Sequence, residues 1–339
     1  MNIRDRKALK QTAASRLSEA SFDPRLLILI HTGVSVGSTL LITLINYMLQ
    51  QQINGTGGLS GIGLRSILTT AQSALQLASI FLMPFWEIGI LFAAMQIARK
   101  QPARPADLPA GFRRFGPVLR LTLLRAAIVF AILTFCINIG GGIFLMTPLS
   151  DRMLDILQPL LENAASSNAP SISMDEATLS ALMESTLPLL PIILGLFLLT
   201  AAPILYRLRM AEYLIMEEKK TGALSALITS WRMTRGRALA LFRLDLSFWW
   251  FYALQAGAVV LSYGDGIAAG LKITLPISAG TAALISYLLY GAAMLALFWR
   301  FGSYVQTTYA VAYDTLRYQC AMPTPKPQPK DLPWDYDPE

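Results

Sequence analysis

Three side chains of reactive type lie where water is scarce. Glu87 and Arg125 each interrupt a long apolar run, and His31, the single histidine of the chain, interrupts another. A charge in hydrocarbon is costly, so such a residue has a partner or a purpose. Counted from the basic ends of their runs, Glu87 lies roughly 16 Å deep and Arg125 roughly 12 Å, at 1.5 Å per residue. The similar depths make Glu87–Arg125 the first expected pair, with His31 as a second partner for Glu87. The set reads as a proton or cation site, or as a buried pair that holds helix register. Both readings stay open.

A second group, Arg207, Arg209, Glu212 and Asp245, falls at similar depth where one run closes and the next opens. It reads as an interfacial network, or as cations reaching for headgroups. No catalytic constellation accompanies either group. A serine–histidine–aspartate set would have to use His31, and no serine or aspartate spacing supports it. Two cysteines and one histidine make no zinc site, and a P-loop and a zincin motif are both missing. No enzyme activity, metal or cofactor is expected. Glu217-Glu218 beside Lys219-Lys220 reads as a solvated helix end.

The elements that position these residues are six apolar runs, at about Leu26–Met48, Ala74–Ala98, Pro117–Met146, Leu187–Tyr206, Leu246–Leu261 and Ala279–Trp299. Most reach the roughly 17–25 residues that a membrane-crossing helix needs. The fifth is marginal, and Gly140, Gly141 and Gly142 blur the end of the third. Between the runs the cations alternate: 25 of the 28 Lys and Arg residues fall in four of the seven flanking stretches, and Arg65, Arg152 and Lys272 stand alone in the other three. Lys and Arg stay on the cytoplasmic side of a membrane. The expected fold is therefore an all-α polytopic membrane helix bundle of about six transmembrane helices plus interfacial amphipathic helices. It sits in a bacterial cytoplasmic membrane with both termini cytoplasmic. Hydrophobic residues at 54% and charged residues at 14% agree, since soluble domains carry about a quarter charged. The net charge of +7 then faces anionic headgroups of the bilayer, not nucleic acid. A protein partner or a homo-oligomer fits as well. The polar lead of about 25 residues is too long for a cleavable signal peptide.

The expected organisation is a cytoplasmic amphipathic segment at 1–25, a six-span membrane domain at 26–318 and a disordered tail at 319–339. Pro84, Pro191 and Pro203 are expected kink points. Gly33 and Gly37 form a GxxxG, expected to bring helices of this chain close together. The stretch from Gln51 to Gln72 looks irregular. Met153, Ile156, Leu157, Leu160 and Leu161 have helical period, and Ser173 with Glu176 can cap a second helix through Met183. Leu224, Leu227, Ile228 and Trp231 fall at i, i+3, i+4 and i+7, followed by Arg232 and Arg235. This predicts a helix lying in the cytoplasmic interface with Gly236 as its stop. Phe112 to Gly116 and the N-terminal stretch make weaker versions. An internal repeat of one interfacial helix plus two spans accounts for them, as does headgroup anchoring alone. Phe248, Trp249, Trp250, Phe251 and Tyr252 read as an interfacial anchor or an aromatic cage.

The stretch Ala223 to Tyr252 carries a more specific signal. Ser230, Met233, Gly236, Leu241, Phe242, Leu244, Leu246, Ser247 and Phe248 resemble a bacterial integral membrane family, domain of unknown function 975. Leu9-Lys10, Arg16-Leu17, Asp107-Leu108 and Gly111-Phe112 look similar to that family too. The resemblance implies a multi-span membrane protein and assigns no chemistry. Two functions are therefore expected. The first is a non-enzymatic membrane protein acting through lipid or protein contacts, as a scaffold or membrane-organising subunit. The second is a small-molecule or ion permease using Glu87. A polar cavity reaching Glu87 would favour the permease, and a dry centre would exclude it.

Overall fold

The computed structural model describes residues 3–55, 59–166, 180–181, 184–218, 221–264 and 279–321. None of the described residues is in a strand. In chain order come α1 (Arg6–Ser18), α2 (Pro24–Gly55), α3 (Leu59–Ala98), α4 (Ala110–Arg113), α5 (Phe115–Leu145) and α6 (Pro148–Ser166). They are followed by α7 (Leu189–Leu208), α8 (Ala211–Glu217), α9 (Ala223–Met233), α10 (Ala238–Leu246) and α11 (Trp249–Ser262). Last come α12 (Ala279–Leu297) and α13 (Ser303–Ala321), joined by a π-helical turn at Phe298–Gly302.

Five stretches are long and apolar enough to cross a membrane: Pro24–Ile45, Thr69–Ala98, Phe115–Leu145, Glu184–Glu217 and Thr281–Cys320. Helices α10 and α11 qualify only as a pair, bent by 63° at their junction. The expected fold class holds, and the marginal fifth run is the bent pair. Two backbone carbonyls at the end of α10 accept from side chains of α1. Lys10 Nζ donates to Ser247 O at 3.0 Å, and Arg6 donates to Arg243 O at 3.4 Å.

The chain divides into two compact units, Met1–Leu121 with Met210–Glu339, and Thr122–Arg209. In the first unit, α2 packs on α3 and α12, α11 on α12, and α13 on α3 and α1. Its core includes Leu27, Ile28, Ile90, Ala93, Ile97, Ala103 and Leu108. Two glycines permit the tightest approach there. A Cβ added at Gly89 would overlap the Leu108 carbonyl oxygen, and one at Gly111 would overlap that of Phe85. The loop after α3 thereby folds back onto the α3 backbone. In the second unit, α5 meets α7 at Gly140, where an added Cβ would stand 2.9 Å from Ile193 Cγ1. The Cys136 thiol and Thr200 hydroxyl are 3.4 Å apart in the same contact.

Several expectations change. Gly33 and Gly37 have nothing within 4 Å of an added Cβ, so that GxxxG makes no close helix contact within the described residues. The stretch from Gln51 is not irregular: α2 runs on to Gly55 and α3 begins at Leu59. Once a long helix is nucleated, extending it by a turn is cheap even through glycines. The same reason carries α5 through Gly140–Gly142 to Leu145. The N-terminal segment does form a helix, capped where Asp5 Oδ1 accepts from Ala8 N at 3.1 Å. It buries Leu9 and Ala13 against the bundle. Helix α6 covers Met153 to Leu161 as expected. The proposed helix from Ser173 lies outside the described residues apart from 180–181, and so does the tail at 322–339.

Candidate functional site

Within the first unit, α2, α3 and α12 surround a cavity of about 300 Å³ whose walls mix polar and apolar groups. Helix α2 contributes His31, Thr32, Ser35, Ser38 and Thr39, and α3 contributes Ser79 and Glu87. Val36, Ile42, Met83, Tyr290, Met294 and Phe298 complete the lining. The positions explain the arrangement. Thr32, Ser35 and Thr39 recur at i, i+3 and i+7 along α2, and Ser79, Met83 and Glu87 at i, i+4 and i+8 along α3, so each set forms one stripe of a helix. Ser35 Oγ donates to Met83 Sδ at 3.6 Å, linking the stripes. The His31 ring lies parallel to Trp86, with centroids 6.0 Å apart, and Trp86 Nε1 donates to His31 O at 3.1 Å.

Two polar atoms on this wall are left over. His31 Nε2 and Thr32 Oγ1 are shut off from solvent and have no hydrogen-bond partner, and Thr32 is only 5% exposed. A buried polar atom without a partner costs free energy, which a ligand can recover. An exposed carboxylate, an imidazole and several hydroxyls around one cavity suit a cation or a small hydrogen-bonding solute. The structure thus brings two of the three expected residues, Glu87 and His31, to one cleft. Arg125 lies half-buried on α5 in the second unit. The expected interfacial group is divided between the units: Arg207 and Arg209 close α7 in the second, while Glu212 on α8 and Asp245 on α10 belong to the first.

A second polar cluster was not foreseen. Arg99, at the end of α3, grips Asp314 of α13 through Nε at 3.1 and 3.2 Å and through Nη2 at 2.5 Å. Arg99 Nη2 also reaches Glu217 at 2.8 Å. Glu217 pairs in turn with Arg317 and accepts from the Tyr313 hydroxyl at 2.5 Å, while Arg317 reaches Glu218 at 3.2 Å. Arg114 donates to the carbonyls of Ile215 and Glu218, the latter at 2.9 Å. Burial pulls the Arg114 pKa below its ordinary value. Burial, and then the neighbouring Arg6 charge, do the same to Lys10. The solvated-end reading of Glu217 is corrected: its side chain is 18% exposed and held by two arginines. Sequence offered no direct sign, because the partners are 96 to 215 positions apart. Three of the four basic-rich stretches meet here, through Arg99, Glu217 and Arg317, and the N-terminal one reaches the stretch of Glu217 separately, where Lys10 donates to Ser247 O.

The predicted surface helix exists as α9, and Gly236 follows it with φ of +72°, a left-handed value that favours glycine. Its apolar stripe is split. Leu227 is buried with Ala223, Ala226, Ser230 and Met233, whereas Leu224, Ile228 and Trp231 are exposed beside Arg232 and Arg235. The aromatic cluster also divides. Phe248 and Phe251 are buried, with Lys10 Nζ 4.0 Å above the Phe248 ring, and Trp249 is exposed.

One protein family matches residues 1–319 of the chain. The chain belongs to that family, the proteins of unknown function DUF975. No curated protein and no solved structure matches it. In this DUF975 chain the residues behind the resemblance do structural work. Ser230 Oγ accepts from Met210 N at 3.1 Å and ties α9 to the start of α8. Leu241, Leu244 and Phe248 are fully buried, as is Leu9 of α1, and Lys10 binds the α10 end. Leu108 and Gly111 make the backbone-to-backbone contacts with α3.

Proposed function

We propose that this DUF975 protein takes a small cationic or hydrogen-bonding solute into the cleft between α2, α3 and α12, as a permease does, with Glu87 as the charged contact. One observation carries the reading. Within a stretch apolar enough to cross a membrane, Glu87 lines a cavity of about 300 Å³ with His31 and a stripe of hydroxyls. An intramembrane ionisable residue in a cavity marks an ion or solute path. Glu87 supplies charge, while Thr32 Oγ1 and His31 Nε2 supply unfilled hydrogen-bonding capacity. No covalent chemistry is required of these groups, so the reading is of a non-enzymatic protein. The host is a bacterial cytoplasmic membrane, with the clustered basic stretches and both termini on the cytoplasmic side.

The test uses proteoliposomes and three probes: protons, sodium and potassium. Glu87→Gln keeps the shape of the side chain and removes its charge. The expected result is flux of at least one probe in the wild type and a fall of tenfold or more in Glu87→Gln, at unchanged yield and melting temperature. Flux unaffected by the substitution removes Glu87 from the path.

A second reading has its own observation. Leu224, Ile228 and Trp231 stand exposed on α9 beside Arg232 and Arg235, the make-up of a helix that lies against anionic headgroups. If no probe is transported, action through lipid or protein contacts on this face is the reading that remains.

A further inference from the structure

A different cavity, of about 420 Å³, opens where α1, the end of α3 and α13 meet. Its polar lining is Thr12, Arg16, Arg99, Asp314, Thr315 and Tyr318. Arg99 is held by both Asp314 and Glu217, which leaves the Arg16 guanidinium as the cation of these walls with no carboxylate beside it among the described residues. The Asp314 carboxylate is already taken up by Arg99 through three contacts. Arg16 has no such partner. Its Nε is shut off from solvent and makes no hydrogen bond. A guanidinium nitrogen removed from water and left without an acceptor is the signature of a missing anion. The guanidinium fork matches the paired oxygens of a phosphate. The exposed side chain of Tyr318 lines the same space and carries a hydroxyl donor. The volume lies within the range of small-molecule sites, about 300–1,000 Å³, and leaves room for more than a bare ion.

We propose that this cavity binds a phosphate group, with Arg16 as its principal contact and Tyr318 as a second donor. The proposal is independent of the Glu87 cleft. The phosphate is carried either by a lipid headgroup or by a free phosphate ester.

Full-length protein in a neutral detergent is titrated with inorganic phosphate and, separately, with short-chain phosphatidic acid. Wild type, Arg16→Met and Tyr318→Phe are compared. Arg16→Met is expected to weaken binding tenfold or more, and Tyr318→Phe severalfold. The ligand-free melting temperature of Arg16→Met should equal or exceed that of the wild type, because the change removes an unsatisfied donor. Binding of phosphatidic acid alone identifies a lipid headgroup, and binding of both probes identifies a free phosphate. Three results overturn the proposal: neither probe binds the wild type, both variants bind as the wild type does, or Arg16→Met lowers the ligand-free melting temperature. The last would mean that Arg16 holds the fold.

Discussion

Glu87 and Glu217 are both acidic residues of an apolar chain, yet they serve opposite ends. Glu217 is satisfied: Arg99, Arg317 and Tyr313 converge on it. Removing its charge leaves Arg99 with Asp314 and Arg317 with Glu218 as their remaining counter-ions, in a region mostly screened from water. Glu217→Gln should therefore cost about 1–3 kcal/mol, the range for part-buried hydrogen bonds to charged groups. It should appear as a lower melting temperature in detergent with no change in probe flux. Unchanged melting would mean that the pairs are exposed ones of little worth. Glu87 lines a cavity with His31 and a stripe of hydroxyls, so its loss is expected to fall on flux. The pair of substitutions separates an ion pair that holds helices from a carboxylate that meets a solute.

Helix packing in the first unit depends on small residues at chosen places. Gly89 sits where the loop carrying Leu108 returns to α3, backbone against backbone. Gly89→Ala forces that loop outward and disturbs Ile90, Ala93 and Leu108 in the core. Overpacking of this kind costs about 1–3 kcal/mol. Gly33→Ala meets open space and should be neutral or mildly stabilising, since alanine favours a helix. Melting of the two variants in detergent checks the contrast, and equal losses would refute it. The bend between α10 and α11 shows the same dependence on neighbours, because Lys10 meets the Ser247 carbonyl there and Arg6 adds a second donor to the Arg243 carbonyl, which already accepts from Ser247 N. The stripe on α9 makes a related point. Period alone placed Leu227 with Leu224, Ile228 and Trp231, but a helix touching protein on one side and facing outward on another buries Leu227 and exposes the rest.

The alternation of basic and non-basic stretches has a physical counterpart in the fold. Arg99, Arg114 and Arg317 meet around Glu217 and Glu218, and Arg6 and Lys10 reach the carbonyls of Arg243 and Ser247, so four stretches separated by apolar helices are joined by two sets of contacts in the first unit. Single cysteines placed by Lys100→Cys and Arg65→Cys, after Cys136 and Cys320 are changed to serine, should react with an impermeant thiol reagent from opposite faces of the membrane. Reaction from the same face would remove the six-span topology. The helical class, the six apolar runs and the marginal fifth were legible in the linear order of residues, because hydropathy and helical period are local properties. Glu87 and His31 stood out for the same reason, as polar groups in apolar surroundings. The hydroxyl stripe beside them was equally local: Thr32, Ser35 and Thr39 share a helical face, and period alone marks it. The Arg99–Glu217–Asp314–Arg317 cluster and the unpaired Arg16 were not legible. A charge at a helix end looks the same whether it meets water or a carboxylate two hundred positions away, and only packing decides which.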